Sequence, residues 1–165
     1  MIMLQLKKIS NSIKETIEFD FYIPLKIKFG HVDASMDGNL YWRTGNLKQT
    51  LIEIGFGKAY GTIRSITLIC KPKVQIKNDY QNNDAIIKKF GLPEFKTGKW
   101  KKSFYCRDEI GDFFMSINDN NLIITFSQHP IKFKVINNRI VFSFNRNKKL
   151  CSIEIQNLNT DELQR

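Results

Sequence analysis

The chain has 165 residues, 42% of them hydrophobic, and a formal charge of +10. This length and apolar content describe one globular domain that buries about two thirds of its unfolded surface, which excludes a disordered chain and one that needs a disulfide or metal staple. The charge points toward nucleic acid, but 20 Lys against 6 Arg, with 23 Ile and 15 Asn, is also what A/T-rich codons produce without selection for a basic surface.

In chain order, Ile9, Ile13 and Ile17 recur every four residues, with Ser10 or Ser12 as cap and Glu15 in the first turns. This spacing predicts a short amphipathic helix within residues 1–19. Residues 21–29 alternate Phe21, Ile23, Leu25, Ile27 and Phe29 with polar positions, which predicts a half-buried strand that Pro24 places at an edge or bulge. Residues 31–39 read as a loop with an Asp37-Gly38 turn, 40–43 as a strand, and 47–56 as a clearly alternating strand. Residues 62–70 end in an apolar run and predict a central strand covered on both faces at that end. Residues 71–78 prolong a ladder.

The best-formed helix is expected over residues 79–90. Asn82 or Asn83 serves as cap, Ile86, Ile87 and Phe90 form the apolar stripe, and Lys88 and Lys89 suit the last turn. Gly91 stands where the chain leaves the helix, and Pro93 forbids continuation. The remainder reads as a meander of strands over 100–107, 112–117, 122–126, 131–136, 139–144 and 150–156, joined by Asn/Asp/Gly-rich turns. Asn137-Asn138 predicts a type I′ turn. Residues 157–165 read as a polar tail, frayed or weakly helical. The expected fold is therefore α+β: one domain over 1–165, with a mostly antiparallel, strongly twisted sheet or half-barrel and one or two helices.

Two stretches echo each other. Phe56, a turn, then Ile63-Arg-Ser65-Ile66-Thr-Leu68 is answered by Phe144, a turn, then Leu150-Cys-Ser152-Ile153-Glu-Ile155. Both read as hairpins of a scaffold. The glycines of Gly55-Phe-Gly57-Lys-Ala-Tyr-Gly61 lack the spacing and the following helix of a dinucleotide site, and are assigned to a turn or bulge.

Candidate chemistry is sparse. Cys70 and Cys151 lie in apolar strand patterns and are read as buried free thiols, in keeping with a reducing cytoplasm. Cys106 lies near Lys101, Lys102 and Arg107, which would lower a thiol pKa, and a dyad with a histidine is the enzymatic alternative. His31 and His129 have no metal-ligand spacing, and His129, before Pro130, is read as an exposed turn residue. Asp108, Glu109 and Asp112 flank Gly111 and are read as solvated turn carboxylates. No catalytic residue, metal or cofactor is expected. The first residues are too short in apolar content for a secretory signal, and no apolar run is long enough for a membrane helix, so no membrane association is expected.

The basic stretch from Arg64 to Arg107 holds 11 cations and three acids, a formal +8. Within it, Lys96, Lys99, Trp100, Lys101, Lys102, Tyr105 and Arg107 interleave charge with aromatic rings, and these seven residues are the candidate partner-binding site. Such a segment suits single-stranded nucleic acid, through backbone attraction and base stacking. It equally suits an acidic protein, with Trp100 or Tyr105 as anchor.

The segments Leu40-Tyr-Trp-Arg-Thr-Gly-Asn-Leu47, Ile52-Glu-Ile54 and Gly61-Thr-Ile-Arg-Ser-Ile-Thr-Leu-Ile69, with the closing strand–turn–strand from Phe142 to Ile155, resemble small bacterial immunity proteins of contact-dependent-inhibition and related polymorphic toxin systems. They cover about a third of the chain. The resemblance implies a non-catalytic, cytoplasmic α+β protein that binds and blocks one toxin domain, often a nuclease. Immunity proteins against nucleases are often acidic and this chain is basic. The implied toxin therefore presents an acidic face, or is bound away from its active site. A β-rich nucleic-acid-binding domain using residues 96–107 is the alternative.

Overall fold

The computed structural model describes residues 4–30, 38–76, 85–100 and 106–163. Strands are numbered in chain order. One six-stranded sheet runs β10 (Cys106–Ile110), β4 (Asn39–Gly45), β5 (Leu51–Gly57), β6 (Ile63–Cys70), β3 (Leu25–Phe29) and β2 (Glu15–Glu18). A seven-stranded sheet runs β7 (Val74–Ile76), β11 (Phe114–Asn118), β12 (Asn121–Thr125), β15 (Leu150–Ile155), β14 (Ile140–Phe144), β13 (Phe133–Asn137) and β8 (Ile87–Phe90). A two-stranded ribbon pairs β1 (Leu6–Ser10) with β9 (Leu92–Phe95). Pairing is antiparallel except at β10–β4, β7–β11 and β8–β13.

Period-two alternation builds the core. Leu25, Ile27 and Phe29 of β3 point inward between Lys26 and Lys28. The row Trp42, Ile54, Ile66 and Ile27 from the six-stranded sheet and the row Phe142, Ile153, Ile124 and Met115 from the seven-stranded sheet are buried in one cluster. Rings meet across the interface: Phe29 lies 6.1 Å from Phe142, and Trp42 lies 5.8 Å from Phe126, edge to face.

The two echoed segments are hairpins of different sheets, β5–β6 and β14–β15. Each carries a register shift at its Phe, between Gly55 and Phe56 and between Ser143 and Phe144. The ribbon joins them. Phe95 N donates to Gly61 O at 2.8 Å, and Leu6 N donates to Lys148 O at 2.9 Å. The Phe95 ring lies 5.3 Å from Phe56 and 5.9 Å from Phe144. One buried ring thus touches the marker phenylalanine of both echoes.

The expectation of an α+β fold is overturned. The described chain is almost entirely β, and its helical content is a single turn, α1 (Thr160–Leu163). The stripe Ile9, Ile13, Ile17 is divided between β1, a connection and β2, with Ile13 exposed, because β-branched side chains favour extended backbone. Of the helix expected over 79–90, residues 79–84 lie outside the described residues, and Ile87–Phe90 form β8. There Ile87 N donates to Lys132 O at 3.0 Å and Gly91 N to Ile136 O at 2.9 Å, so pairing with a distant strand prevails over helical spacing.

Smaller corrections follow the same logic. Pro24 precedes β3, which is flanked by β2 and β6 and so is no edge. Ile69 of β6 is exposed, so that strand end is covered on one face only. The meander breaks where β12 pairs with β15. Positive φ at both central residues, the type I′ signature, occurs at Asp119 and Asn120, whereas Asn137 ends β13 and only Asn138 turns left-handed. The tail docks through buried Leu158, whose N–H donates to Asn120 O at 2.9 Å. Asn159 and Glu162 then form a reciprocal cap on α1 at 2.8 and 3.0 Å.

Candidate interaction surface

Lys96 and Lys99 are exposed beyond the end of β9. Trp100 is half-buried, its N–H bonded to Thr97 O at 3.0 Å in a turn. Its ring stands edge to face with Phe56 at 5.8 Å, and the Arg107 guanidinium lies over it at 5.6 Å. The structure thus brings Trp100 and Arg107 together and ties both to the core through Phe56. Lys101, Lys102 and Tyr105 lie outside the described residues, as does His31.

The carboxylates read as turn residues stand mostly on β10. Asp108 accepts a two-pronged bond from Arg43, at 2.8 Å from Nε and 3.0 Å from Nη2. Glu109 accepts the Trp42 indole N–H at 3.0 Å, and its carbonyl accepts the Thr44 hydroxyl at 2.6 Å. Asp108, Arg43 and Glu53 form one row across the outer face of the six-stranded sheet. The hydrogen bond to Asp108 holds the Arg43 guanidinium above its ordinary pKa against the opposing effect of burial. Burial pushes the Glu53 carboxyl up, and Arg43 partly restores it. Cys106 is exposed on the same edge strand. Cys151 is buried and its thiol is pushed up by that burial. Cys70 is half-buried, and His129 is exposed. Among the described residues, no three His, Cys, Asp or Glu side chains are grouped to hold a metal ion.

Sequence reasoning missed the edges. Phe90 on β8 is 77% exposed, Ile76 on β7 82% and Ile110 on β10 79%, and each strand ends its sheet. Their spacing gave no signal, because exposure here is set by which strand stands last in a sheet. A cleft of about 240 Å³ opens between the sheets, lined by Leu25, Leu68, Met115, Ile117 and Leu122, with Lys71 and Glu162 also on its wall. Glu162 is engaged by Arg139 at 3.1 Å. No helix among the described residues is long and apolar enough to cross a membrane.

Comparison with known families finds no matching family model, and comparison with curated proteins finds no match.

Proposed function

We propose that the chain is a non-catalytic binding protein that neutralises a cognate bacterial toxin domain by direct protein–protein contact, turning its basic stretch toward an acidic face of that domain. The observation that carries this reading is the Trp100 plate. Trp100 is held between Phe56 and Arg107, with Lys96 and Lys99 exposed beside it. A large aromatic side chain fixed in advance loses little conformational freedom on binding, which is what a protein-interface anchor requires. Exposed lysines around it steer an acidic partner and select against a basic one. Arg107 already lies over one face of the ring, so less of it is left for base stacking.

The test is a titration against the toxin domain encoded beside the gene, with a single-stranded oligonucleotide in parallel. Reversing both charges, Lys96→Glu with Lys99→Glu, is expected to weaken toxin binding about tenfold or more, mainly through slower association. Wild-type binding should survive moderate salt. Oligonucleotide affinity that falls steeply with salt, together with no toxin binding, would replace this reading by the nucleic-acid one.

A further inference from the structure

Strand β8 is an edge with unusual properties. All four of its residues, Ile87, Lys88, Lys89 and Phe90, are exposed. Its inner side is fixed to β13 by the amides of Ile87 and Gly91. Successive residues of a strand turn their backbone groups to opposite sides in the sheet plane, so Lys88 and Phe90 present N–H and C=O away from β13. Among the described residues, no strand pairs with that outer side.

The charges are equally one-sided. Lys88 stands in register beside Lys134, and Lys89 follows; neither β8 nor β13 contains an acid. Like charges side by side across a strand pair are unfavourable, and opposite charge laid along them relieves the repulsion. A second copy of this chain would bring the two lysines of one β8 against the two of another, so self-pairing is disfavoured. An extended acidic segment gains on both counts: paired with β8, its carboxylates stand beside Lys88 and Lys89 and its apolar residues beside Ile87 and Phe90.

We propose that β8 is a docking edge that takes an extended acidic segment of a partner protein as an eighth strand of the seven-stranded sheet. The inference rests on the protein-partner reading and adds a contact mode and a place, distinct from the Trp100 plate. Main-chain bonds supply the affinity and the lysines supply the choice of sequence.

The probe is a soluble peptide with a Val-Glu-Glu-Val core, which sets an acid beside each of Lys88 and Lys89 and an apolar residue beside Ile87 and Phe90, added to the full chain with backbone amide exchange read by NMR. Binding should slow exchange at Lys88 and Phe90 and leave Ile87 and Gly91, already bonded, unchanged. Lys88→Pro removes an outward donor while leaving the β13 pairing intact, and should abolish the protection. Lys88→Gln keeps the donor and should weaken binding only several-fold. Should Lys88→Pro fail to fold, Lys88→Glu with Lys89→Glu serves instead, and is expected to switch preference from the Val-Glu-Glu-Val peptide to a Val-Lys-Lys-Val one. The proposal is overturned by protection that is absent at Lys88 and Phe90, by shifts confined to residues 96–107, or by a β8-dependent dimer in sedimentation. Toxin binding that Lys88→Pro leaves unaltered would remove β8 and keep the proposed function. Peptide protection without any toxin binding would do the reverse.

Discussion

At the scale of single residues, the row Asp108–Arg43–Glu53 shows how one cation serves two acids unequally. Arg43 faces Glu53 across β4 and β5, yet its fork is committed to Asp108 at 2.8 and 3.0 Å. Glu53 is left partly buried with a raised pKa, above its ordinary 4.5. The folded chain therefore holds that proton more tightly than the unfolded chain. This contribution to stability is fully present below 4.5 and is lost as pH rises through the raised folded value. Glu53→Gln should flatten stability across that window and raise it at neutral pH relative to the parent, in urea titrations at stepped pH. Asp108→Asn should release Arg43 toward Glu53 and lower the Glu53 titration seen by carboxyl NMR. Because the Arg43–Asp108 pair is solvent-accessible, its loss should itself cost no more than about 1 kcal/mol. A Glu53 titration that stays put in the Asp108 variant would show that burial alone sets it.

At the scale of elements, local pattern was legible and partner choice was not. The alternation in β3, β5 and β12 and the two echoed hairpins could be read directly, since each hairpin is set by its own turn and period. β8 could not, because Ile-Lys-Lys-Phe has no period of two and becomes a strand only against β13, far along the chain. The candidate site divides the same way. The run of charge and rings from Lys96 to Arg107 was visible, but the anchoring of Trp100 by Phe56 joins strands no local rule connects. Gly61 shows how tightly such joins are made. Its φ is +73°, and a Cβ there would stand 2.1 Å from Phe95 O, the carbonyl of a residue whose N–H bonds to Gly61 O. Gly61→Ala must adopt a left-handed backbone and also push β9 away, at a cost of about 3 kcal/mol. Chemical denaturation measures that loss directly, and a neutral result would mean that the hairpin–ribbon contact yields without penalty.

At the scale of the whole molecule, the ribbon is the element that decides whether two sheets behave as one body. Each large sheet has its own inward rows, and they meet at Phe29–Phe142 and Trp42–Phe126. At the echoed turns the connection passes instead through Phe95, fully buried between Phe56 and Phe144. Truncating a buried phenylalanine removes its apolar contacts and leaves a cavity, together worth about 3–5 kcal/mol. Because the core cluster is continuous from Trp42 through Phe95 to Phe142, that loss should be felt by the whole molecule at once. Phe95→Ala is therefore expected to lower the urea midpoint without changing the slope of the transition, with tryptophan fluorescence and far-ultraviolet circular dichroism remaining coincident. Trp42 reports from the six-stranded sheet and Trp100 from beside the ribbon, whereas dichroism weights every strand. If fluorescence changed ahead of dichroism, the ribbon would be a separately melting unit. The Trp100 plate, resting on Phe56 beside it, could then not be the rigid anchor on which the proposed binding depends.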